Sequence, residues 1–228
     1  MLNNCKTLET FFVFKVSYCS FAPLIMRDKI LSNAAELFLN YGFKSITMDD
    51  ISNHLGISKK TIYQHFENKT KLVEAVSLFT FENISCGIET ICALKKNPIE
   101  EIFDIKQFVM DHLKDEKSSP QYQLQKYYPK IFKTLKNKQF EVMQDCVQEN
   151  LRRGIERGLY RSNLNIEFIS RIYFSCTVSL KDADLFPLIN FSVNTLMDNY
   201  LEYHIRGFCT EKGLLTLNKF ITSNQSEK

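Results

Sequence analysis

The chain has no marked excess of charge of either sign: 29 lysines and arginines face 26 aspartates and glutamates, a formal net charge of +3 over 228 residues. Bulk charge therefore cannot attract nucleic acid, and any such binding needs a local patch. Metal-ligand spacing is also missing. The four histidines, His54, His65, His112 and His204, fall into no ligand pattern with one another or with cysteines, so neither a metal site nor a cofactor is expected. The seven cysteines (Cys5, Cys19, Cys86, Cys92, Cys146, Cys176, Cys209) include no C-x-x-C pair. They read as reduced thiols of a cytoplasmic protein, serving as small core residues, with one of them a redox sensor as the other reading. The apolar run FFVFKVSYCSFAPLI near the start is broken by Lys15 and Pro23, too short for a bilayer and without a signal-peptide cleavage site. No nucleophile, acid–base pair or metal cluster at a recognisable spacing points to an enzyme. There is no internal repeat beyond residue 80 and no low-complexity tract. What is present is ample apolar content, 44%, enough for a buried core.

The informative stretch is Thr47 to Phe66, TMDDISNHLGISKKTIYQHF. Thr47 with Asp50 three residues on is a capping-box pattern, and Ile51 and Leu55 sit one helical turn apart. Gly56 offers the left-handed turn that stops a helix. Ser58 can cap a second segment in which Ile62 and Phe66 face inward at i and i+4. That leaves Lys59, Lys60, Thr61, Tyr63, Gln64 and His65 for an outer surface. This is the layout of a helix-turn-helix whose second helix is free to enter a major groove.

Ahead of it, Ile30, Ala34, Leu37, Phe38 and Tyr41 mark a helix from Arg27 that stops at Gly42 and shares one small core with the next two. Met26 reads as the translational start, with residues 1–25 a disordered or mis-called extension; a genuine apolar arm packing on the body is the other reading. After Phe66, Asn68 can cap a further helix, and its free N–H groups with Lys69 and Lys71 form a phosphate clamp. Asn97-Pro98 starts another helix, and 114–120 reads as a solvated loop. Pro129 interrupts the aromatic and basic stretch 122–138, and Phe140 to Ile155 is a long helix closing near Gly158. Two apolar segments, 166–180 and 185–205, are expected to form a helix hairpin apolar on more than one side, able to pair with a second copy. A last short helix spans 210–221, followed by a frayed tail.

The motifs I-x-x-A-A-x-x-L-F from Ile30, Tyr41-Gly42, T-x-x-x-I from Thr47, L-G-I-S-K-x-T-I-Y-x-x-F from Leu55 and N-K-x-x-L from Asn68 stand at fixed offsets over forty-odd residues. On them the chain closely resembles the TetR family of bacterial transcriptional regulators, the likeness running from Arg27 to Ile221 and weaker in the second half. The resemblance implies an all-α fold: a three-helix DNA-binding head (26–72) and a larger helical effector-binding and dimerisation body (73–228). It implies a cytoplasmic homodimer, paired through the two long C-terminal helices, that binds a palindromic operator and leaves it when a small-molecule effector binds. At matching positions Thr47, Thr61, Tyr63, His65 and Lys69 resemble residues used on the DNA backbone, while Lys59, Lys60 and Gln64 can reach bases. Lys60 departs from the small residue, often Gly, that is common there. Ser52 stands where Ala is usual, and Thr70-Lys71 replaces an often acidic pair.

Each reading has an ordinary counterpart. The lysines make a solvated basic face, Thr47 is fully explained as an N-cap, and Gln64 is an unremarkable surface residue. Tyr63 could be packed, but Ile62 and Phe66 already fill the inward face. Phe103, Phe108, Tyr122, Tyr127, Tyr128, Phe132, Phe168, Tyr173 and Phe174 could line an effector pocket, yet most are expected to be core, so no ligand-binding residue is named. Two alternatives of another class remain: an enzyme body carrying a DNA-binding head, and a protein-interaction adaptor using the apolar C-terminal hairpin.

Overall fold

The structure, a computed structural model, describes residues 22–113, 120–182, 184–187 and 189–226. Most of the N-terminal extension and the loop 114–119 thus lie outside the described residues. Ten helices follow in order among the described residues: α1 Ala22–Tyr41, α2 Met48–Leu55, α3 Lys59–His65, α4 Lys69–Ala93, α5 Pro98–Leu113, α6 Pro120–Tyr127, α7 Pro129–Glu156, α8 Ile166–Ser179, α9 Val193–Arg206 and α10 Glu211–Ser226. The fold is all-α.

The first core forms where the 3.6-residue periodicity of α1 meets the short helices. Ile30, Ala34 and Phe38 are fully buried against Ile51 of α2 and Ile62 of α3, with Leu72, Val73 and Val76 of α4 closing the far side. α1 begins at Ala22, upstream of the expected Arg27, and Met26 packs on this core. Its stop is Gly42, left-handed at φ 84°, whose N–H returns to Phe38 O at 2.8 Å. A Cβ at Gly42 would lie 2.2 Å from the Gln123 amide nitrogen, while Gln123 Oε1 accepts the Lys44 N–H at 3.0 Å. The core does not end with the head: Leu124 of α6 and Ile131 and Leu135 of α7 are buried in it, and Phe43 meets Tyr128 edge-on at 6.3 Å.

Pro129 separates α6 from α7 as expected. It also starts α7, a position where its missing N–H costs nothing, and α7 then runs unbroken for 28 residues, merging two segments that the sequence reading kept apart. Gly158 lies just past its end, as expected. The expected hairpin needs correction. Its second helix starts at Val193, not Leu185, because Pro187 cannot donate and disfavours helix before it. The intervening residues form turns instead, with Asp184 N–H on Asp182 Oδ1 at 2.9 Å and Asn190 N–H on Pro187 O at 2.9 Å. α8 packs chiefly along α7, and α9 against α5. The last helix is also longer than expected and absorbs much of the tail.

A second core holds Ile99, Leu151, Tyr160, Leu201, Ile205 and Leu217. Within it Glu101, fully buried, pairs with Arg153, and its Oε1 also accepts from Asn150 Nδ2 at 2.8 Å. Asn150 further donates to Pro98 O at 2.9 Å and accepts from the Tyr160 hydroxyl at 3.3 Å. Burial pushes the Tyr160 phenol well above its ordinary range.

α8 and α9 meet at a ring cluster, Tyr173 lying 6.1 Å from Tyr200 and 5.7 Å from His204, with Tyr200 stacked on His204 at 5.1 Å. Burial lowers the His204 pKa to about 4, from 6.5. The neutral ring is the folded form, so its contribution is complete above pH 6.5. It is lost as pH falls towards 4, where the unfolded chain takes the proton first. We expect the thermal midpoint to fall over this window by an amount worth about 1–3 kcal/mol, and His204→Gln to flatten that fall. Parallel melts of the two proteins from pH 7.5 to 4 check this; identical slopes would refute it.

Candidate nucleic-acid interface

The turn between α2 and α3 is built by caps. Thr47 Oγ1 accepts the Asp50 N–H at 3.2 Å while Asp50 Oδ2 accepts the Thr47 N–H at 2.8 Å, closing the box read from the sequence. The Thr47 hydroxyl also donates to Asp50 Oδ2 at 2.7 Å. These bonds, side chain first and backbone second, hold the Asp50 carboxyl below its usual range. Gly56 takes φ 64°, a left-handed conformation that few other residues tolerate, and its N–H reaches Asn53 O at 3.2 Å. Ser58 then caps α3, its Oγ accepting the Thr61 N–H at 3.1 Å and lying 2.9 Å from Thr61 Oγ1.

α3 is anchored by Ile62 and by Phe66, which follows it, both buried. Lys60, Tyr63 and Gln64 stand outward at i, i+3 and i+4, with Tyr63 45% exposed. The packed reading of Tyr63 is thereby excluded. Lys59 is outward too, but its Nζ meets Asp49 at 2.8 Å, pinning α3 to α2. That hydrogen bond raises its pKa. Counting along the sequence from Ser58 to Lys71 gives four lysines against one glutamate and misses this partner, which lies ten residues upstream and arrives only by folding.

Asn68 caps α4 as expected, Oδ1 accepting the Lys71 N–H at 3.0 Å. Lys69 folds back so that Nζ donates to Lys44 O at 3.3 Å, and partial burial lowers its pKa against the opposing pull of Asp50. Lys44 is thus brought beside α4 from 25 positions away, with its own Nζ 5.1 Å from the Tyr127 ring centroid. No local pattern marked it. Lys71 pairs with Glu74 at 2.9 Å, and His65 is half-buried, its ring 6.4 Å from that of Phe66. Thr47, Thr61, Tyr63, His65 and Lys69 are therefore spread over the capped start of α2, α3 and the first turn of α4. Lys59, Lys60 and Gln64 share the exposed side of α3.

Residues 30–76 match the family model described as "Bacterial regulatory proteins, tetR family". Over these residues the chain is similar to the TetR family. The chain is 33% identical over 90 residues to the biofilm operon icaADBC HTH-type negative transcriptional regulator IcaR of Staphylococcus aureus, covering 36% of this chain and 48% of that protein. It is 43% identical over 47 residues to the Staphylococcus epidermidis regulator of the same name, covering 21% of this chain and 25% of that one. The chain thus spans about half the length, or less, of the curated relatives it matches. Solved structures share the fold. A transcriptional regulator from Cytophaga hutchinsonii superposes with a TM-score of 0.65 at 16% identity, over 80% of this chain and 98% of that one. SmeT, the repressor of the Stenotrophomonas maltophilia multidrug efflux pump SmeDEF, gives 0.60 at 16% identity, over 81% and 91%.

The body of the chain holds a cavity of about 270 Å³ between α4, α5, α7 and α8. Its walls are mainly apolar, including Ile84, Ile88, Ile105, Val109 and Met143. Of the nine aromatic residues singled out in the sequence, Phe132, Tyr173 and Phe174 line it and the others do not. Several polar residues are set into the wall, among them Lys106 and Ser77. Lys106 is buried and already paired with Asp198 Oδ1 at 2.9 Å, whereas the buried Ser77 hydroxyl has no hydrogen-bond partner among the described residues. Among the described residues no group of His, Cys, Asp or Glu is arranged to hold a metal ion, and no helix is long and apolar enough to cross a membrane.

Proposed function

We propose that this chain is a cytoplasmic DNA-binding transcriptional regulator, residues 26–72 reading the operator and residues 73–228 sensing an effector and pairing two copies. The observation that carries the reading is the outward triplet Lys60, Tyr63 and Gln64 on a helix fixed from behind by Ile62 and Phe66. Lys60 and Gln64 face base edges. Lys59 joins them when it exchanges Asp49 for the duplex, while Tyr63, His65, Lys69 and the free amides of α4 hold phosphates. Thr47 and Thr61 contact the backbone only by giving up a local bond, since a phosphate accepts and the Thr47 proton is committed to Asp50.

Pairing of two copies through α8 and α9 is supported by outward apolar side chains, Phe168 and Ile172 one turn apart on α8 and Tyr203 on α9. Such a pair matches a palindromic site. The cavity suits an apolar effector carrying one polar group for Ser77. An effector that prefers a different body conformation shifts the population off DNA. Because the Staphylococcus aureus relative is named a negative regulator, we carry repression to this chain.

The test is a fluorescence-anisotropy titration of the purified protein on duplexes from the DNA flanking its own gene, against scrambled duplexes. We expect saturable, sequence-selective binding. Gln64→Ala should reduce the preference for the true site about tenfold while sparing scrambled DNA. Absence of any selective complex would favour an interaction adaptor instead.

A further inference from the structure

The last turn of α4 and the third quarter of α7 bring two half-buried thiols together, Cys92 Sγ and Cys146 Sγ lying 3.1 Å apart. The helices that carry them are braced around this contact. Arg157 of the α7 cap donates to Lys96 O at 2.9 Å and Lys95 O at 3.1 Å, just past the end of α4, and Arg153 is locked to Glu101. Cys146 also lines the cavity, which gives a small reactant a way to the pair.

We propose that Cys92 and Cys146 are an oxidation site that closes to an intramolecular disulfide on reaction with a hydroperoxide. The two thiols share one hydrogen bond, in which either sulfur can donate; that bond lowers the Cys92 pKa, while it and burial raise Cys146. Cys92, the less buried thiol of the two, is the attacking thiolate. Its sulfur takes the terminal oxygen of the hydroperoxide, an S–O bond forming as the O–O bond breaks, and the alcohol (water, for hydrogen peroxide) leaves with a proton. The Cys146 sulfur then attacks the Cys92 sulfenic acid. An S–S bond forms, the S–O bond breaks, and water departs with the Cys146 proton. In sum two thiols lose two electrons and two protons to one hydroperoxide. Closing requires the sulfurs to move from 3.1 Å to about 2 Å. The bond fastens to α7 the far end of α4, the helix whose first turn abuts α3.

The test uses the full chain, fully reduced, exposed to hydrogen peroxide, quenched with iodoacetamide and digested with trypsin plus a Glu-specific protease. Cleavage at Glu89 separates Cys86 from Cys92. Non-reducing mass spectrometry should find one cross-linked pair containing Cys92 and Cys146, lighter by two hydrogens and lost on dithiothreitol treatment, while Cys86 and Cys176 stay alkylated. In Cys146→Ser, dimedone should trap a sulfenic acid at Cys92, and in Cys92→Ser, Cys146 should remain a free thiol. Peroxide-treated wild-type protein with Cys92 and Cys146 both alkylated, or joined to other cysteines, would overturn the proposal. Because that readout uses the wild-type chain, it stands even if a variant fails to fold.

Discussion

Replacing Glu101 with alanine is expected to cost about 3–5 kcal/mol of unfolding free energy, the largest loss from any single side-chain truncation in the body. Glu101 is fully buried, Arg153 nearly so, and the truncation leaves the guanidinium without its counter-ion. It also strips Asn150 of one acceptor, so the chain of bonds from Pro98 O through Asn150 to the Tyr160 hydroxyl loses its charged end. Glu101→Gln keeps an acceptor for Asn150 and should lose less. The double replacement Glu101→Leu with Arg153→Met should recover much of the stability, since it removes both charges rather than orphaning one. Urea unfolding followed by circular dichroism on the four proteins measures this. A loss below about 1 kcal/mol for Glu101→Ala would mean that the pair is solvated in solution and contributes little.

Lys69→Ala should weaken binding to every duplex, matched or scrambled, and reduce the slope of log affinity against log salt by about one. Lys69 is singled out from its neighbours because its ammonium is already held over Lys44 O and half withdrawn from solvent. A phosphate arriving there meets a positioned donor and loses little side-chain entropy. Lys71 has the opposite status: its charge is shared with Glu74 on the surface, so Lys71→Ala should change the slope by less. Anisotropy titrations between 50 and 300 mM salt separate the two variants, the salt range being on the order of that over which counter-ion release dominates. Equal and unchanged slopes would remove the phosphate clamp from the proposed interface.

The head was legible because its signals are short-range. Thr47 with Asp50, Gly56, and Ser58 with Thr61 each act within about one turn, and the structure forms every one of these caps. What could not be read arises from partners distant in the chain. Asp49 withdraws Lys59, and Lys44 receives Lys69, through contacts that exist only once three helices have packed. The same holds in the body. The apolar run after Leu185 predicts helix by composition, but Pro187 and the Asp182 carboxylate favour turns, delaying α9 to Val193. Likewise nothing in the spacing of Glu101, Asn150 and Arg153, or of Cys92 and Cys146, announces that each set meets between two helices. Separations of about fifty residues carry no periodicity to detect.

Leu124 and Leu135 belong to the head's core and also form part of the cavity wall, as do Phe38 and Phe43 of the head itself. The two functions proposed for this chain are thus not joined by a relay of intermediate side chains; they share masonry. An occupant that displaces Leu124 or Leu135 presses directly on the back of Phe38, and Phe38 packs in the same core as Ile51 and Ile62, the inner faces of the two helices of the reading motif. On the function proposed above, the elbow between α6 and α7 would serve as a fulcrum through which an occupant sets the angle of α3.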